Sequence, residues 1–536
     1  MPNTHIPYRS TQYFSDLICD LLDEHPDLQP FYGRRPSLES FKEQMAEKSA
    51  AFPASHRKIL TEVLSEDYHK IGVTEGPSVE NIQLLAENTA YTITTGHQLN
   101  ILTGPLYFLY KIISVINLCQ QLKQTYPEAD FVPVFWMASE DHDFEEISFF
   151  YHQGKKYKWS RESEGAVGQM NTQGLDAVFE LFFSALGNNN AAKELKAWIK
   201  QAYHPSASLA EATRRLVHHL FGDQGLVIVD GDNTRLKSLF APYVKRELTE
   251  EIAFQNVTET TSAMQSAYKS SYSPQVNPRK INLFYLSKGH RERIDRDGEE
   301  YILVDQKRTF SKAEILDELE KQPERFSPNA LLRPLYQEII LPNLCYIGGG
   351  GELAYWLQLR SLFAAHAVPF PILLLRNSAV LVHEKDEKKM QKLNLAPADL
   401  FLGKSSLINK KVRQISNIDL DLSPLKDQLE VQFKQLEDLV EQTDASFKGA
   451  VGAQKKKQFK GIDRLEDRLL RAQKRKLSDH VERLASLHNL LFPNGSLQER
   501  TDNFSAFYVA YGEELIPQIQ AALDPMHQAF SWITLK

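Results

Sequence analysis

Two polar stretches lie one after the other behind the strand-like residues Tyr91–Thr95. In Gly96-His97-Gln98, an imidazole that titrates near neutral pH could donate to a phosphate or act as a general acid or base. Thr103-Gly104 comes directly before Pro105 and an apolar helical pattern, and the free amides at such a helix start could hold a phosphate. The alternative is a histidine and a glutamine that bond only to loop backbone.

An acidic stretch follows the next apolar run, Phe131–Met137. Its residues Glu140-Asp141-His142-Asp143 could bind the ammonium of an amino acid, hold Mg²⁺ or supply a catalytic base. We expect no catalytic zinc, because no further histidine or cysteine lies at ligand spacing and neighbouring side chains diverge. The alternative is a charged loop whose acids cap a helix.

Two further candidates follow later strand-like runs. Gly348-Gly349-Gly350-Gly351 lies between Tyr346 and Glu352, and four glycines let a ligand approach the backbone closely. The segment is neither a GxGxxG nor a P-loop, since no Lys-Ser/Thr pair follows it. Arg376-Asn377 comes after the last run, where a cation could neutralise phosphate charge.

Five short apolar runs, separated by helical patterns, predict the elements that position these residues. Nearly continuous hydrophobic strands are typical of a parallel sheet covered on both faces, so we expect a doubly wound α/β fold. In such sheets ligands bind beyond the carboxyl ends of the strands, where the strand order reverses. The predicted strands are Tyr91–Thr95, Phe131–Met137, Leu226–Asp230, Leu344–Gly348 and Ile372–Leu375.

The uneven spacing of these strands predicts inserted subdomains, because bare loops of such length are uncommon. We assign 1–88 to an N-terminal helical segment and 89–380 to the core. The first insertion, about 150–215, has helical patterns. The second, about 270–335, has strand-like alternation at Ile281–Leu286 and Tyr301–Asp305.

The remaining 381–536 form a predicted helical domain whose terminal segment packs back on the core. Heptad-like spacing over about 424–491 indicates an antiparallel coiled-coil hairpin. Its turn is predicted where Gly449, Gly452 and Gly461 surround a run of lysines, which we interpret as a solvated loop.

Composition excludes several classes of function. The chain has 536 residues, 24% of them charged, and a net charge of −7, which does not favour nucleic acid as a partner. Its start lacks a signal-peptide pattern, and no apolar run approaches the roughly 20 residues of a membrane span. The cysteines Cys19, Cys119 and Cys345 form no CxxC pair. We therefore expect a cytoplasmic protein without a membrane partner.

Four longer segments resemble the bacillithiol biosynthesis cysteine-adding enzymes, the BshC family. The match runs in order from about residue 90 to 500, and the inserts and the late hairpin match as well. The segments are GHQLNILTGPLYFLYKI, PVFWMASEDHDFEEI, PNALLRPLYQEIILPNLCYIGGGGELAYW and LFPNGSLQER.

The resemblance implies a Rossmann-like core of the class I nucleotidyltransferase type, with two connective-peptide insertions and a coiled coil that takes part in homodimerisation. The implied reaction joins the carboxyl group of cysteine to the amine of glucosaminyl malate. Both sequence signatures of the class I synthetases are absent. Gly96-His97-Gln98 occupies the place of the first, and Arg376-Asn377-Ser378 occupies the place of the second. Nucleotide contacts are therefore not copied from synthetases, and no zinc is implied.

Amide formation from a carboxylate needs activation, so we expect ATP, with Mg²⁺, to act through an acyl adenylate or acyl phosphate. The phosphates would lie at the 104–106 helix start and the glycine segment, with His97 and Arg376 stabilising charge. Glu140 and Asp141 would hold an ammonium or accept a proton, and Arg333 would pair with malate carboxylates. Another nucleotidyltransferase on the same core and a non-catalytic coiled-coil scaffold are the alternatives.

Overall fold

The computed structural model describes residues 4–162, 165–205, 207–269, 272–440, 442 and 445–536. The chain divides into two compact units. The first comprises the residues through Leu381 together with Gln498–Lys536, and the second is Val382–Leu497. The chain therefore leaves the first unit, builds the second and returns.

Fifteen strands are present in the described residues. They are β1 Thr4–Ile6, β2 Ala90–His97, β3 Asp130–Met137, β4 Phe149–His152, β5 Lys155–Lys158, β6 Val227–Asp230, β7 Leu283–Ser287, β8 His290–Asp297, β9 Glu300–Leu303, β10 Arg308–Ser311, β11 Phe326–Pro328, β12 Asn343–Gly348, β13 Ile372–Leu375, β14 Ala379–His383 and β15 Phe530–Leu535.

The α-helices of the first unit lie before, between and after these strands. They are α1 Tyr8–Thr11, α2 Asp16–Leu22, α3 Leu38–Ala51, α4 Ala54–Lys70, α5 Pro77–Leu84, α6 Tyr107–Thr125, α7 Phe144–Ile147, α8 Leu175–Ala185, α9 Asn190–Ala202, α10 Leu209–Phe221, α11 Thr234–Glu250, α12 Ile252–Ala267, α13 Lys312–Lys321, α14 Leu332–Ile340, α15 Gly350–Trp356, α16 Arg360–Ala365, α22 Ser505–Tyr511 and α23 Leu515–Ala522. The second unit contains α17 Glu384–Lys392, α18 Lys404–Ile415, α19 Ser423–Val440, α20 Ala445–Lys476 and α21 Ser478–Leu491.

The central sheet has the order β13-β12-β2-β3-β6, with every strand parallel to its neighbours. The predicted α/β fold and its five strands are confirmed. From β2 the chain adds β3 and β6 on one side, and it then returns to add β12 and β13 on the other. The order therefore reverses between β2 and β12, which is where a doubly wound sheet opens a crevice for ligands.

Burial explains why these segments form the sheet. All four residues of β13 are buried, and β2 is buried from Ala90 to Gly96. Helix α6 covers β2 and β3, and it is buried along most of its length. Each fully buried aliphatic side chain contributes roughly 1.5–3 kcal/mol, so runs of them outweigh weak local preferences.

The two insertions differ in structure. The first carries the antiparallel hairpin β4-β5 and helices α8, α9 and α10. The second carries an antiparallel sheet of order β10-β9-β8-β7-β11. Its strands β7 and β9 fall at the two predicted strand-like stretches.

The predicted turn of the coiled-coil hairpin is wrong. Gly449, Gly452 and Gly461 all lie inside the continuous helix α20, and α19 ends at Val440, before them. A Cβ at any of these glycines would meet no atom within 4 Å, so each costs only its poor helix propensity, about 1 kcal/mol.

Ion pairs across the hairpin favour the continuous helix instead. Lys455, predicted in a solvated loop, bonds to Glu430 at 2.5 Å and Glu437 at 3.0 Å on α19. Among the described residues, no helix combines the length and apolar character needed to cross a membrane.

Candidate active site

A cavity of about 720 Å³ lies at the carboxyl ends of β2, β3 and β12. Residues of the second insertion, from Gln275 to Arg293, line its opposite side. The cavity thus occupies the crevice that the reversal of strand order predicts, and its size is ordinary for a small-molecule site.

We define the crevice floor as Lys111, Tyr346, Glu352 and Arg376. Lys111 projects from α6 and is buried, and its Nζ donates to the Gly96 carbonyl at 2.7 Å and to Glu352 Oε2 at 2.5 Å. Glu352 also accepts the Gly349 amide at 2.8 Å and the Tyr346 hydroxyl at 2.6 Å. One carboxylate therefore connects α6, β12 and the glycine segment.

The charge state of Glu352 follows from this pairing. Burial alone would raise the pKa of its carboxyl, but Lys111 and the hydrogen bonds from Tyr346 and Gly349 outweigh burial and hold the pKa at about 2. Glu352 is therefore an anion at neutral pH, with its oxygens already bonded.

His97 lines the cavity in a fixed tautomer. Its Nδ1 lies 2.9 Å from the Gln98 carbonyl, which can only accept, so Nδ1 carries the proton. Its Nε2 is buried and has no hydrogen-bond partner among the described residues. Burial, followed by the charge of Lys111, lowers the pKa of His97 to about 3. In this tautomer Nε2 is an acceptor, which favours the predicted acid–base role of His97 over donation to a phosphate.

Arg376 lines the cavity and is 4% exposed. It bonds to Glu499 at 2.7 Å, while its Nε is a buried donor without a partner among the described residues. Asn377 does not line the cavity; its side chain bonds to Ser114 and to the Asp524 carbonyl. The predicted binding role of Asn377 is corrected to a structural one.

Arg333 lies beside the floor, as its predicted role requires. It donates to Gln337 at 3.0 Å and lies 5.5 Å from the centre of the Tyr346 ring. Gly96 lies close to the Arg333 guanidinium group, and a larger residue would be crowded there, because a Cβ at Gly96 would come within 3.3 Å of the Tyr346 hydroxyl.

The acidic segment divides between the cavity and the loop behind it. Glu140 lines the cavity and pairs with buried Lys237 at 2.5 Å, although burial raises the pKa of its carboxyl. Asp141 accepts from Gln98 at 2.8 Å, so the acidic stretch meets the Gly96-His97-Gln98 stretch. Asp143 does not line the cavity; it caps α7 by accepting the Glu146 amide, and its predicted catalytic role is corrected.

His142 connects the core to the second insertion. Its Nδ1 accepts from Arg291 at 2.9 Å, and its ring packs against Phe284. Arg291 further donates to Ser327 and to the Pro328 carbonyl. His142 and Arg291 therefore join the loop after β3 to β8 at the side of the cavity.

The predicted phosphate site at the helix start is not available. Thr103 and Gly104 do not line the cavity, and the Leu106 amide donates to the Asp502 carbonyl at 2.8 Å. Asn503 covers the same turn by bonding to the Leu102 and Gly104 carbonyls. A segment nearly 400 residues away thus satisfies these local groups, which the local pattern could not reveal.

The glycine segment is open only in part. Gly349, Gly350 and Gly351 line the cavity, and a Cβ at Gly351 would meet open space. Gly348 does not line it; a Cβ there would come within 2.9 Å of the Tyr346 ring, so this glycine allows the ring to pack.

Sequence reasoning missed most of the cationic lining. We define the cavity rim as the exposed residues Arg279 and Arg500, whose guanidinium groups have no hydrogen bond or ion pair to the described residues. Arg291 and Arg293 complete the insertion side. Lys111 could have been recognised from the sequence, because it is a lone lysine in an apolar helix. Nothing in the sequence distinguishes the rim arginines.

The cavity is strongly cationic although the whole chain carries a charge of −7. Among its described lining residues, six arginines and Lys111 stand against the carboxylates Glu140, Asp141 and Glu352, an excess of four positive charges. Across the described ranges, no group of three or more His, Cys, Asp or Glu side chains is arranged to hold a metal ion. The arrangement suits an anionic organic ligand with an N–H donor facing His97.

Two family models cover nearly the whole chain. Residues 1–377 match the model described as the bacillithiol biosynthesis BshC N-terminal Rossmann-like domain, and residues 379–535 match the BshC C-terminal coiled-coil domain.

Curated relatives agree with these models over their full lengths. The chain is 52% identical to a protein of Christiangramia forsetii, covering 100% of this chain and 99% of the relative. It is 48% identical to one of Flavobacterium johnsoniae over 100% of both, and 37% identical to one of Cytophaga hutchinsonii over 97% and 96%. Each relative is named "Putative cysteine ligase BshC".

Proposed function

Since the chain belongs to the bacillithiol biosynthesis BshC family, we propose that it is a ligase that joins the carboxyl group of cysteine to the amine of glucosaminyl malate. The relatives' names support the ligase and its use of cysteine. The observation that carries the proposal is the cationic cavity at the reversal of strand order, because glucosaminyl malate brings two carboxylates and activation brings phosphates.

The malate carboxylates would pair with Arg333 and the rim residues Arg279 and Arg500. A guanidinium presents parallel N–H donors that match a carboxylate, and the rim guanidinium groups have no partner among the described residues to give up. Hydrogen bonds of this kind to charged groups contribute about 1.5–3 kcal/mol each.

The amine would face His97. Its Nε2 is a buried acceptor without a partner among the described residues, and an attacking amine must lose a proton as the C–N bond forms. In this step the amine nitrogen bonds to the cysteine carbonyl carbon, the bond from that carbon to its activated oxygen breaks, and the proton passes to Nε2. The cysteine ammonium would lie against Asp141, which retains 30% exposure of its side chain.

The residues also fit a nucleoside triphosphate. The Arg376 Nε is a donor at the floor without a partner among the described residues, and Gly351 leaves room for a phosphate to approach the backbone. When bound, the triphosphate would supply activation of the cysteine carboxylate. The residues of this chain would hold its charge and exclude water.

Association of two chains through the coiled coil of α19 and α20 belongs to the same proposal. Exposed apolar residues on these helices support it, among them Leu425, Val431 and Leu465. The proposed location is the cytoplasm.

The test is mass spectrometry of the purified protein with cysteine, glucosaminyl malate, ATP and Mg²⁺. We expect a product heavier than glucosaminyl malate by cysteine minus water, formed together with AMP or ADP. His97→Gln should remove that product, whereas Arg308→Ala, an exposed arginine of the second insertion outside the cavity, should not.

Two results would reject the proposal. Nucleotide hydrolysis that depends on neither cysteine nor the amine would favour another nucleotidyltransferase. A folded protein that forms no product and consumes no nucleotide would favour the scaffold.

A further inference from the structure

Lys111 joins the two strand ends that flank the crevice. From α6, its ammonium donates to Gly96 at the end of β2 and to Glu352 beyond β12. Only 4% of the residue is exposed, so both bonds form away from solvent, where an ammonium needs its partners most. Lys111 is thus a side-chain link between the end of β2 and the start of α15, in addition to the backbone pairing of β2 with β12.

The same helix turn holds the imidazole of His97. The ring lies 5.2 Å from the Tyr107 ring and 5.1 Å from the Phe108 ring, measured between centroids. Tyr107 and Phe108 precede Lys111 by one helical turn, so α6 contacts both His97 and the residue before it. A shift of Gly96 after loss of Lys111 would therefore change how the His97 ring packs against this aromatic pair.

We propose that Lys111 is a positioning residue of the reaction proposed above: by tying Gly96 to Glu352, it directs His97 Nε2 into the crevice as the acceptor of the substrate amine's proton. The inference rests on the proposed function only for the identity of that proton. The orientation of the imidazole, and whether it depends on Lys111, can be tested without substrate.

A second effect of Lys111 is electrostatic. Its charge adds to burial in lowering the pKa of His97, which keeps the ring neutral and also makes it a weaker base. Lys111 therefore influences the charge of the His97 ring as well as its orientation.

The test compares Lys111→Met with the double variant Lys111→Met/Glu352→Gln. The single change leaves the partly buried Glu352 without its cation, and the protein could fail to fold for that reason alone. The double variant has no unpaired buried charge and nearly the same shape, so it should fold. Arg57→Met is the matched control, since buried Arg57 donates to the Ala90 carbonyl at the opposite end of β2.

The first readout needs no substrate. Imidazole ¹⁵N shifts, with the His97 signals assigned by their loss in His97→Gln, report which nitrogen carries the proton. We expect a single Nδ1–H tautomer in the unchanged protein and in Arg57→Met between about pH 5.5 and 8. In the folded double variant we expect a mixture of both tautomers, because a shift of Gly96 would weaken the bond from His97 Nδ1 to the Gln98 carbonyl.

The second readout is the amide-forming rate. We expect kcat of the double variant to fall about 100-fold, with the KM for cysteine within about threefold, because a misdirected acceptor acts on the transition state. Lys111→Arg, which keeps the charge, should recover part of kcat.

The outcomes separate the two proposals. A single Nδ1–H tautomer in the folded double variant overturns the positioning role of Lys111, whatever the rate. An unchanged kcat there overturns it as well. If the unchanged protein forms no amide, the proposed function fails, while a tautomer mixture in the double variant still establishes that Lys111 directs His97.

Discussion

The crevice floor and the cavity rim both present cations to the same cavity, but they differ in what those cations do. On the floor, Lys111 and Arg376 are buried and each bonds to a carboxylate, Glu352 or Glu499. On the rim, Arg279 and Arg500 are exposed and unpaired within the described residues. The floor charges therefore maintain shape, whereas the rim charges remain free to attract a ligand.

This difference means that counting cations overstates the attraction for an anion. Each floor cation is largely neutralised by its partner, and the low exposure of the pair strengthens that attraction. The excess of four positive charges resides mainly in the guanidinium groups of the insertion side and the rim. We therefore expect floor substitutions to reduce stability and rim substitutions to reduce substrate binding.

The largest effect is expected from breaking a floor pair. Arg376→Met leaves Glu499, which is fully buried, without its cation, and the free energy of unfolding should fall by about 3–5 kcal/mol. Urea denaturation measures this loss. Arg376→Met/Glu499→Gln should recover most of it, and a loss below about 1 kcal/mol in the single variant would show that the floor pair is not structural.

Acid should weaken the floor selectively. The folded-state pKa of Glu352, about 2, lies below its ordinary value of 4.5, so its contribution is complete above pH 4.5 and is lost as the pH falls through 2. Urea denaturation at several pH values below 5 should therefore show a steeper loss for the unchanged protein than for Lys111→Met/Glu352→Gln. Equal slopes would mean that the pairing does not keep Glu352 ionised.

Rim substitutions should act on binding alone. Arg279→Ala and Arg500→Ala should each raise the KM for glucosaminyl malate about tenfold, as expected for one lost hydrogen bond to a charged group. The free energy of unfolding should change by less than about 0.5 kcal/mol, as for other surface changes. Arg308→Ala should alter neither quantity, and a destabilised rim variant would contradict the distinction.

The smallest effect should appear with salt. Raising the ionic strength from about 0.05 to 0.2 M screens exposed charges more than buried pairs, so kcat/KM should fall roughly threefold. The Arg279→Ala/Arg500→Ala double variant should lose part of this dependence. Equal salt dependence in both proteins would place the attraction elsewhere in the cavity.

The sequence predicted well where an element depends on its own residues. Each of the five core strands is a nearly continuous apolar run, and such a run is what a parallel strand buried on both faces needs. The ends of β2, β3 and β12 follow from the same runs, so the sequence alone brings His97, Glu140 and Gly349 to one edge of the sheet, where all three line the cavity. Uneven strand spacing and heptad-like spacing predicted the insertions and the coiled coil, and the family resemblance agreed with both.

Prediction failed where distant residues satisfy a local group. Asp502 occupies the Leu106 amide, which removes the expected phosphate site, and the pairing of Lys111 with Glu352 joins positions far apart in the chain. The predicted position of the hairpin turn was wrong for a related reason. Glycines predict a turn locally, but Gly449, Gly452 and Gly461 lie in a helix that also contacts α19, for example through the pairs of Lys455 with Glu430 and Glu437.

The return of the chain at Gln498 has a consequence for how the protein is synthesised. Glu499 pairs with Arg376, and Gln498 and Glu499 bond to the backbone of β14, yet Val382–Leu497 must be translated between them. When Arg376 and β14 have left the ribosome, Glu499, the partner of this buried arginine, has not yet been synthesised. The first unit therefore cannot complete these contacts until the whole helical unit has been synthesised. A chain truncated before Gln498 should remain incompletely folded and be bound by chaperones or degraded by proteases.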